Sequence, residues 1–153
     1  MHVHKAYLNA TGKITTYTLT HDIKRAVLDA KAAAGHVCVL STQATTAVLL
    51  LENDDTIKKE LMTHVQKMFE GVSDKSISRR SGSGPDKFHL MAALTGLTIT
   101  LPFQQGRLLT HPQHEVFALD FEPKAGRREF IISVLPSGGG AAPAGGGTPM
   151  PGR

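Results

Sequence analysis

The sequence is poor in residues on which several classes of protein depend. It contains no tryptophan, one cysteine and only 5% aromatic residues. The single cysteine, Cys38, excludes an internal disulfide, so a reducing cytoplasm is the expected location. Proteins that bind single-stranded nucleic acid stack the bases on aromatic rings. We therefore expect a cytoplasmic protein without a nucleic-acid partner.

Long apolar runs are missing as well. No stretch approaches the roughly 20 apolar residues of a membrane-spanning helix, and residues 1–13 lack the sections of a signal peptide. Hydrophobic residues make up 41% of the chain and charged residues 20%, which is typical of one globular core away from membranes. The formal net charge of +4 would suit an anionic partner, either a phosphorylated small molecule or nucleic acid, of which the scarcity of aromatic residues disfavours the second.

Composition predicts one domain over residues 1–135 and a disordered tail over residues 136–153. The tail, PSGGGAAPAGGGTPMPGR, holds mostly glycine, proline and alanine and has almost nothing to bury. A second polar stretch, residues 72–86, contains Arg79 and Arg80 among glycines and serines. It predicts either a loop whose N–H groups cradle a phosphate or a flexible basic loop.

Hydrophobic periodicity predicts strands and helices that do not strictly alternate. Strands are predicted at 2–9, 13–20, 36–41, 45–51, 97–103, 114–121 and 128–135, with part of 104–113 also able to pair. Helices are predicted at 22–35, 54–71 and 86–96. Thr20 or Asp22 is expected to cap the first helix, and Gly35 to end it. The fold class is α+β: a single domain with a largely antiparallel β-sheet and helices packed on one face.

Residues 47–51 are apolar at consecutive positions and are followed at once by four polar residues, Glu52, Asn53, Asp54 and Asp55. Consecutive apolar residues predict a strand that is covered on both faces. Asp54 or Asp55 is expected to cap the helix that follows, because a carboxylate accepts hydrogen bonds from the free N–H groups of a first helical turn. Cys38, between two valines, is expected to be a buried packing residue.

Three segments together resemble the motifs of the YjbQ family, also called the secondary thiamine-phosphate synthase family. They are Ala44-Thr45-Thr46-Ala47, the acidic segment 52–55, and the stretch 88–121, in which His89, the Leu-Thr-Gly turn and Gly106-Arg107 keep the family's order and spacing. The resemblance covers about residues 3–135. It implies the family's α+β fold and a homotrimer with sites between subunits.

The resemblance also implies a pocket that binds a small phosphorylated molecule. Its catalytic residues would be Glu52 and His89, and its ligand-binding residues Thr45, Asn53, Asp55, Arg107 and His114. No tightly bound cofactor or structural zinc is expected, because the chain has one cysteine and scattered histidines. A weak, exchangeable Mg²⁺ on Glu52 and Asp55 would arrive with a pyrophosphate ligand.

Two functions stay open at this point. The resemblance implies a thiamine-phosphate synthase-like transferase, which joins a pyrimidine pyrophosphate to a thiazole phosphate and releases pyrophosphate. The alternative is a non-catalytic trimeric metabolite-binding or structural protein. Ala44 stands where the family has a histidine, residues 77–79 contain none, and His111-Pro112-Gln113-His114 replaces a Gly-Thr-Trp-Gln motif. His89 could then be a packing residue, or could form a zinc site with His111 and His114 if the three converge.

Overall fold

The computed structural model describes residues 1–72 and 86–138. Most of the predicted phosphate-cradling loop and of the predicted tail lies outside these residues. The described strands are β1 (His2–Ala10), β2 (Thr15–Thr18), β3 (Ala34–Ser41), β4 (Thr46–Glu52), β5 (Thr98–Gln104), β6 (Arg107–Leu108), β7 (His114–Asp120) and β8 (Gly126–Pro136). The described helices are α1 (Thr20–Asp29), α2 (Asp55–Met68) and α3 (Asp86–Thr95). None of these three is long and apolar enough to cross a membrane.

The strands form two antiparallel sheets rather than one. The large sheet has the order β1-β8-β3-β5-β6, and the small sheet has the order β2-β7-β4. Every strand pair in both sheets is antiparallel. The predicted class, a single α+β domain with largely antiparallel strands and packed helices, is confirmed, and β6 pairs within the segment where a further strand was expected.

Helix α1 shares one core with both sheets. Its apolar residues Ile23, Ala26 and Val27 are almost completely buried. They belong to a cluster that includes residues of the large sheet, such as Val37, Phe130 and Ile132, and of the small sheet, Val48, Val116 and Ala118. The two sheets and α1 therefore depend on each other for burial.

The other face of the small sheet packs against α2 and α3, so helices cover both faces of this sheet and the prediction of helices on one face is wrong. Ala47, Leu119 and Phe121 of this face form a second core with Phe69, Met91 and Ala92. Ala47 and Val48, adjacent on β4, are 0% and 2% exposed although they point to opposite faces. The prediction that this strand is covered on both sides is confirmed.

The first helix is shorter than predicted, and its predicted cap and stop are wrong. Leu19 holds the N-cap position without a side-chain bond, while the Thr20 hydroxyl accepts a hydrogen bond from the Val116 N–H at 3.0 Å. The helix ends at Asp29. Gly35 instead lies in β3, where a side chain would overlap the Leu135 carbonyl group of β8. Glycine is needed there for the approach of two strands, not for a helix end.

Cys38 is also placed differently from the prediction. Side chains of a strand alternate between faces, and the neighbouring valines Val37 and Val39 fill the core. Cys38 consequently points to the other face of the large sheet, where it is half-buried and its Sγ lies 3.5 Å from the Thr98 Oγ1.

Candidate functional site

A cavity of about 460 Å³ lies between α1, β6 and the connection from β6 to β7. On the α1 side it is lined by Thr20, Lys24 and Leu28. Residues spaced by four lie on one face of a helix, so these three form a single stripe along the cavity. Leu50 and Val116, which are paired across β4 and β7, line it from the small sheet.

A tight hairpin forms the opposite wall. The register pairs Gln104 with Arg107, which leaves Gln105 and Gly106 as a two-residue turn. Both turn residues have positive φ, 50° and 72°, as a type I′ turn requires. The hairpin places Gly106, Arg107 and Leu108 along the cavity.

Two histidines close the cavity, His111 in the β6–β7 connection and His114 at the start of β7. The rings of His111 and His114 meet edge to face, with centroids 5.3 Å apart, and both residues line the cavity. The N–H of Gln113 donates to the Nδ1 of His111 at 3.3 Å. Because Nδ1 accepts this bond, the neutral ring carries its proton on Nε2 and keeps a donor there.

The cavity has a positive charge balance. Lys24 and Arg107 line it, and neither forms an ion pair within the described part of the chain. The acidic lining residue is Glu115, but its carboxylate accepts hydrogen bonds from Thr18 at 3.2 Å and from Asn53 at 3.4 Å. Adjacent strand residues point to opposite faces, so this carboxylate is turned away from the face that carries His114. The arrangement suits an anion.

Strand register brings the predicted residue Glu52 to this site. Glu52 lies directly opposite His114 in the β4–β7 pair. Directly opposed residues share a face, with Cβ atoms about 5 Å apart. A shallower cavity of about 320 Å³, lined by Glu52 and Asn53, adjoins the first and shares Pro112 and Glu115 with it.

The start of α2 resolves the roles of the two aspartates. Asp54 is the helix cap, since its carboxylate accepts from the N–H groups of Thr56 at 2.8 Å and of Ile57 at 3.0 Å. The predicted cap is confirmed. Asp55 lies 2.9 Å from the Lys58 Nζ, and the hydrogen bond and charge of Lys58 lower the pKa of Asp55. The same ammonium donates to the Asn53 Oδ1 at 3.0 Å.

Thr45 and His89 lie elsewhere in the single chain. Thr45 precedes β4, about 20 Å along the strand from Glu52, and its hydroxyl donates to Glu122 at 3.0 Å. His89 lies on α3, which packs on the face of the small sheet opposite the cavity. Its Nδ1 is buried without a hydrogen-bond partner among the described residues. Of the predicted site residues, one chain thus gathers Glu52, Arg107 and His114, with Asn53 in the adjoining cavity. Asp55 lines neither cavity and its side chain is fully exposed.

A family model confirms the resemblance seen in the sequence. The model described as UPF0047 protein YjbQ-like matches residues 4–137. The chain belongs to the YjbQ-like family. A search of curated proteins gave no significant match.

Solved structures of low sequence identity share the YjbQ-like fold. An uncharacterized conserved protein of this family from Clostridium acetobutylicum is 16% identical, with a TM-score of 0.76 over 86% of this chain and 99% of its own. A protein of unknown function from Sulfolobus solfataricus P2 is 16% identical, with a TM-score of 0.76 over 89% of this chain and 97% of its own. A hypothetical protein from Aeropyrum pernix K1 is 13% identical, with a TM-score of 0.78 over 90% and 100%. At these identities the likeness shows the fold alone.

Sequence reasoning missed several residues of the candidate site. Lys24 and Thr20 line the cavity from α1, and Glu115 connects the ends of β2 and β4 through hydrogen bonds to Thr18 and Asn53. The spacing of Thr20, Lys24 and Leu28 by four residues was a readable signal for one helical face. No comparable signal in the sequence pointed to Glu115.

A buried ion pair lies near the Thr45 end of β4. Asp120 is 0% exposed, and its two carboxylate oxygens accept from the Arg128 Nε at 3.0 Å and Nη2 at 3.1 Å. The Thr46 hydroxyl donates to the same carboxylate at 2.6 Å. Both carboxylate oxygens of Asp120 therefore accept hydrogen bonds, and the ion pair joins the small sheet to β8.

The donor side chains of the described residues do not form a metal site by themselves. Within residues 1–72 and 86–138, no three His, Cys, Asp or Glu residues are grouped so as to hold a metal ion. The predicted ligand Asp55 already pairs with Lys58. A Mg²⁺ on Glu52 and Asp55 would need phosphate oxygens of a ligand to complete its coordination, and it stays a prediction.

Proposed function

We propose that this YjbQ-like protein binds a phosphorylated small molecule in the cavity between α1 and the β6–β7 connection. The observation that carries the proposal is the charge of the lining: Lys24 and Arg107 line the cavity without ion-pair partners among the described residues, beside two imidazoles. The acidic neighbour Glu115 is hydrogen-bonded elsewhere. Such a lining attracts an anion of the size of a phosphate ester.

Each lining residue has a distinct part in this proposal. The planar guanidinium of Arg107 suits a two-point hydrogen bond to phosphate oxygens, and Lys24 adds a point charge. His111 donates through Nε2 while neutral, because the Gln113 N–H occupies its Nδ1. Glu52, directly opposite His114 on the same face of the small sheet, adds a carboxylate beside that imidazole.

The catalytic form of the proposal is a transfer reaction with release of pyrophosphate, of the thiamine-phosphate synthase type. A leaving pyrophosphate needs neutralised charge and a proton more than it needs a covalent partner in the protein. Arg107 and Lys24 would supply the charge, and His114, opposite Glu52 in the sheet, would hold the proton. His89 keeps its predicted catalytic role only if it reaches this cavity.

A homotrimer is part of the same proposal. Thr45 and His89 are separated from Glu52 and Arg107 within one chain, by the length of β4 and by the small sheet respectively. A site that uses all of them therefore takes Thr45 and His89 from a neighbouring subunit. Light scattering of the full chain tests this, with a trimer as the expected result and a stable monomer as the contrary one.

A non-catalytic metabolite-binding protein is the second candidate, and one observation favours it. Ala44 precedes β4 where the family motif has a histidine, and the adjacent Thr45 hydroxyl is engaged by Glu122. The ligand would then bind at Arg107 and Lys24 without reacting.

Calorimetry with pyrophosphate tests binding. We expect Arg107→Ala and Lys24→Ala each to weaken binding about 10- to 100-fold, the usual worth of a hydrogen bond to a charged group. Arg25→Ala is the matched control, because Arg25 neighbours Lys24 on α1, is exposed and does not line the cavity. Equal affinity in all variants, or no binding to the parent protein, would overturn the proposal.

An assay of thiamine phosphate formation, with and without Mg²⁺, separates the two candidates. Turnover that is lost in Glu52→Ala and His89→Ala, but kept in the exposed control Glu60→Gln, supports the transferase. Pyrophosphate binding without turnover of the parent protein supports the non-catalytic candidate.

A further inference from the structure

The cavity has an apolar interior behind its cationic residues. Leu50 and Val116 line it from the small sheet, Leu28 from α1 and Leu108 from β6. Val116 is buried, and Leu50 and Leu108 are half-buried and pack against the main core. We call Leu28, Leu50, Leu108 and Val116 the apolar floor of the cavity. The Thr20 hydroxyl, which also lines the cavity from α1, is hydrogen-bonded to the backbone of Val116.

Given the phosphate site proposed above, on which this step rests, we infer that the ligand is a phosphate ester with an apolar organic group. The phosphate lies at Arg107 and Lys24, and the organic group covers Leu28, Leu50 and Leu108. A cavity of about 460 Å³ is several times larger than a phosphate ion, so inorganic phosphate alone would leave the leucines in contact with water. Filling that space with hydrocarbon releases this water.

The same lining disfavours phosphate esters of sugars and other polyols. Their hydroxyl groups would lose hydrogen bonds to water and would meet leucine and valine side chains instead. The hydroxyl of Thr20 is already satisfied by Val116 and offers no compensation. The apolar floor thus selects between phosphate esters by their organic group, while the cationic residues bind the phosphate that all of these esters share.

A series of alkyl phosphates from methyl to butyl provides the test. Each methylene buried in the cavity strengthens binding about fourfold, so butyl phosphate should bind the full chain about 60-fold more tightly than methyl phosphate. Glycerol 3-phosphate, similar in length to butyl phosphate but polar, should bind no better than methyl phosphate.

Variants distinguish the floor from the cationic residues. Leu28→Ala should reduce the gain per methylene, and because Leu28 is 62% exposed this change leaves folding intact. Leu109→Ala is the matched control, since Leu109 is 57% exposed and lies outside the cavity lining. Arg107→Ala should weaken every member of the series by the same factor and leave the gain per methylene unchanged.

The outcomes separate this inference from the proposed function. Equal affinity for all alkyl phosphates and inorganic phosphate would overturn the apolar ligand and leave the phosphate site standing. No binding by any phosphate compound would overturn both. Binding to vesicles that contain phosphatidic acid, without a chain-length effect among the soluble esters, would assign the chemistry to a lipid surface and overturn the inference of a soluble ester.

Discussion

Replacing Arg128 with methionine should destabilise the protein more than almost any other single change. Arg128 and Asp120 form a two-point ion pair with distances of 3.0 and 3.1 Å, and their side chains are 7% and 0% exposed. Arg128→Met keeps most of the side-chain volume but removes both bonds and the positive charge. The Asp120 carboxylate would then be buried with the Thr46 hydroxyl as its remaining side-chain partner.

The expected cost follows from that uncompensated charge. Removing one partner of a buried ion pair costs about 3–5 kcal/mol, which is a large part of the roughly 5–15 kcal/mol that stabilises a typical domain. Removing both charges together leaves no unpaired buried charge, and the groups that lose a partner, the Thr46 hydroxyl and the Lys124 carbonyl, are neutral. The double variant Asp120→Leu/Arg128→Met should therefore be more stable than Arg128→Met alone.

Urea denaturation followed by circular dichroism measures these differences. Thr46→Val serves as an intermediate case, because it removes one hydrogen bond to a charged group and should cost about 1.5–3 kcal/mol. Two results would refute the reasoning that Asp120 depends on Arg128. One is a loss of unfolding free energy below about 1 kcal/mol in Arg128→Met. The other is a double variant whose loss equals the sum of the losses in the two single variants.

Three further predictions concern local structure. Asp54→Ala should cost about 1 kcal/mol of unfolding free energy in urea titration through loss of the helix cap, while Asp55→Ala, whose side chain is fully exposed, should cost clearly less. Lys58 lowers the pKa of Asp55 from its ordinary 3.8. The pair therefore contributes stability above pH 3.8, and this contribution is lost as the pH falls through the folded-state pKa. In Asp55→Asn, urea titrations at several pH values should no longer show this contribution to the unfolding free energy. Gly106→Ala should cost about 1 kcal/mol in thermal unfolding because of its positive φ, and adding Leu28→Ala should recover the steric part, since the new Cβ would lie 3.0 Å from the Leu28 Cδ2.

The secondary structure was largely readable from local patterns, whereas the division into two sheets was not. Periodicity placed the strands and helices, and the continuous apolar run of β4 correctly predicted cover on both faces. The pairing of strands depends on contacts between distant segments of the chain, and periodicity contains no information about such contacts. Gly35 is an example of this limit of local patterns. A glycine that permits close packing of two strands cannot be distinguished in the sequence from a glycine that ends a helix.

The candidate site shows the same division between local and distant information. The cap Asp54 was predictable because its partners Thr56 and Ile57 are two and three residues away. The pairing of Glu52 with His114 depends on the register between β4 and β7, which no local pattern fixes. The family resemblance supplied these residues as a set, but it could not show that one chain brings together only some of them.

The position of β8 has a consequence for how the chain is synthesised. This strand lies between β1 and β3 in the large sheet, and Gly126 at its start pairs with Ala10 at the end of β1. At the usual rates of translation, about ten seconds separate the synthesis of these two residues. Until then the edges of β1 and β3 that β8 will cover are open and can pair with another nascent chain. Ribosome release or early termination before β8 should therefore yield aggregation-prone fragments, and cotranslational chaperones should matter more for this protein than for helical proteins of its size.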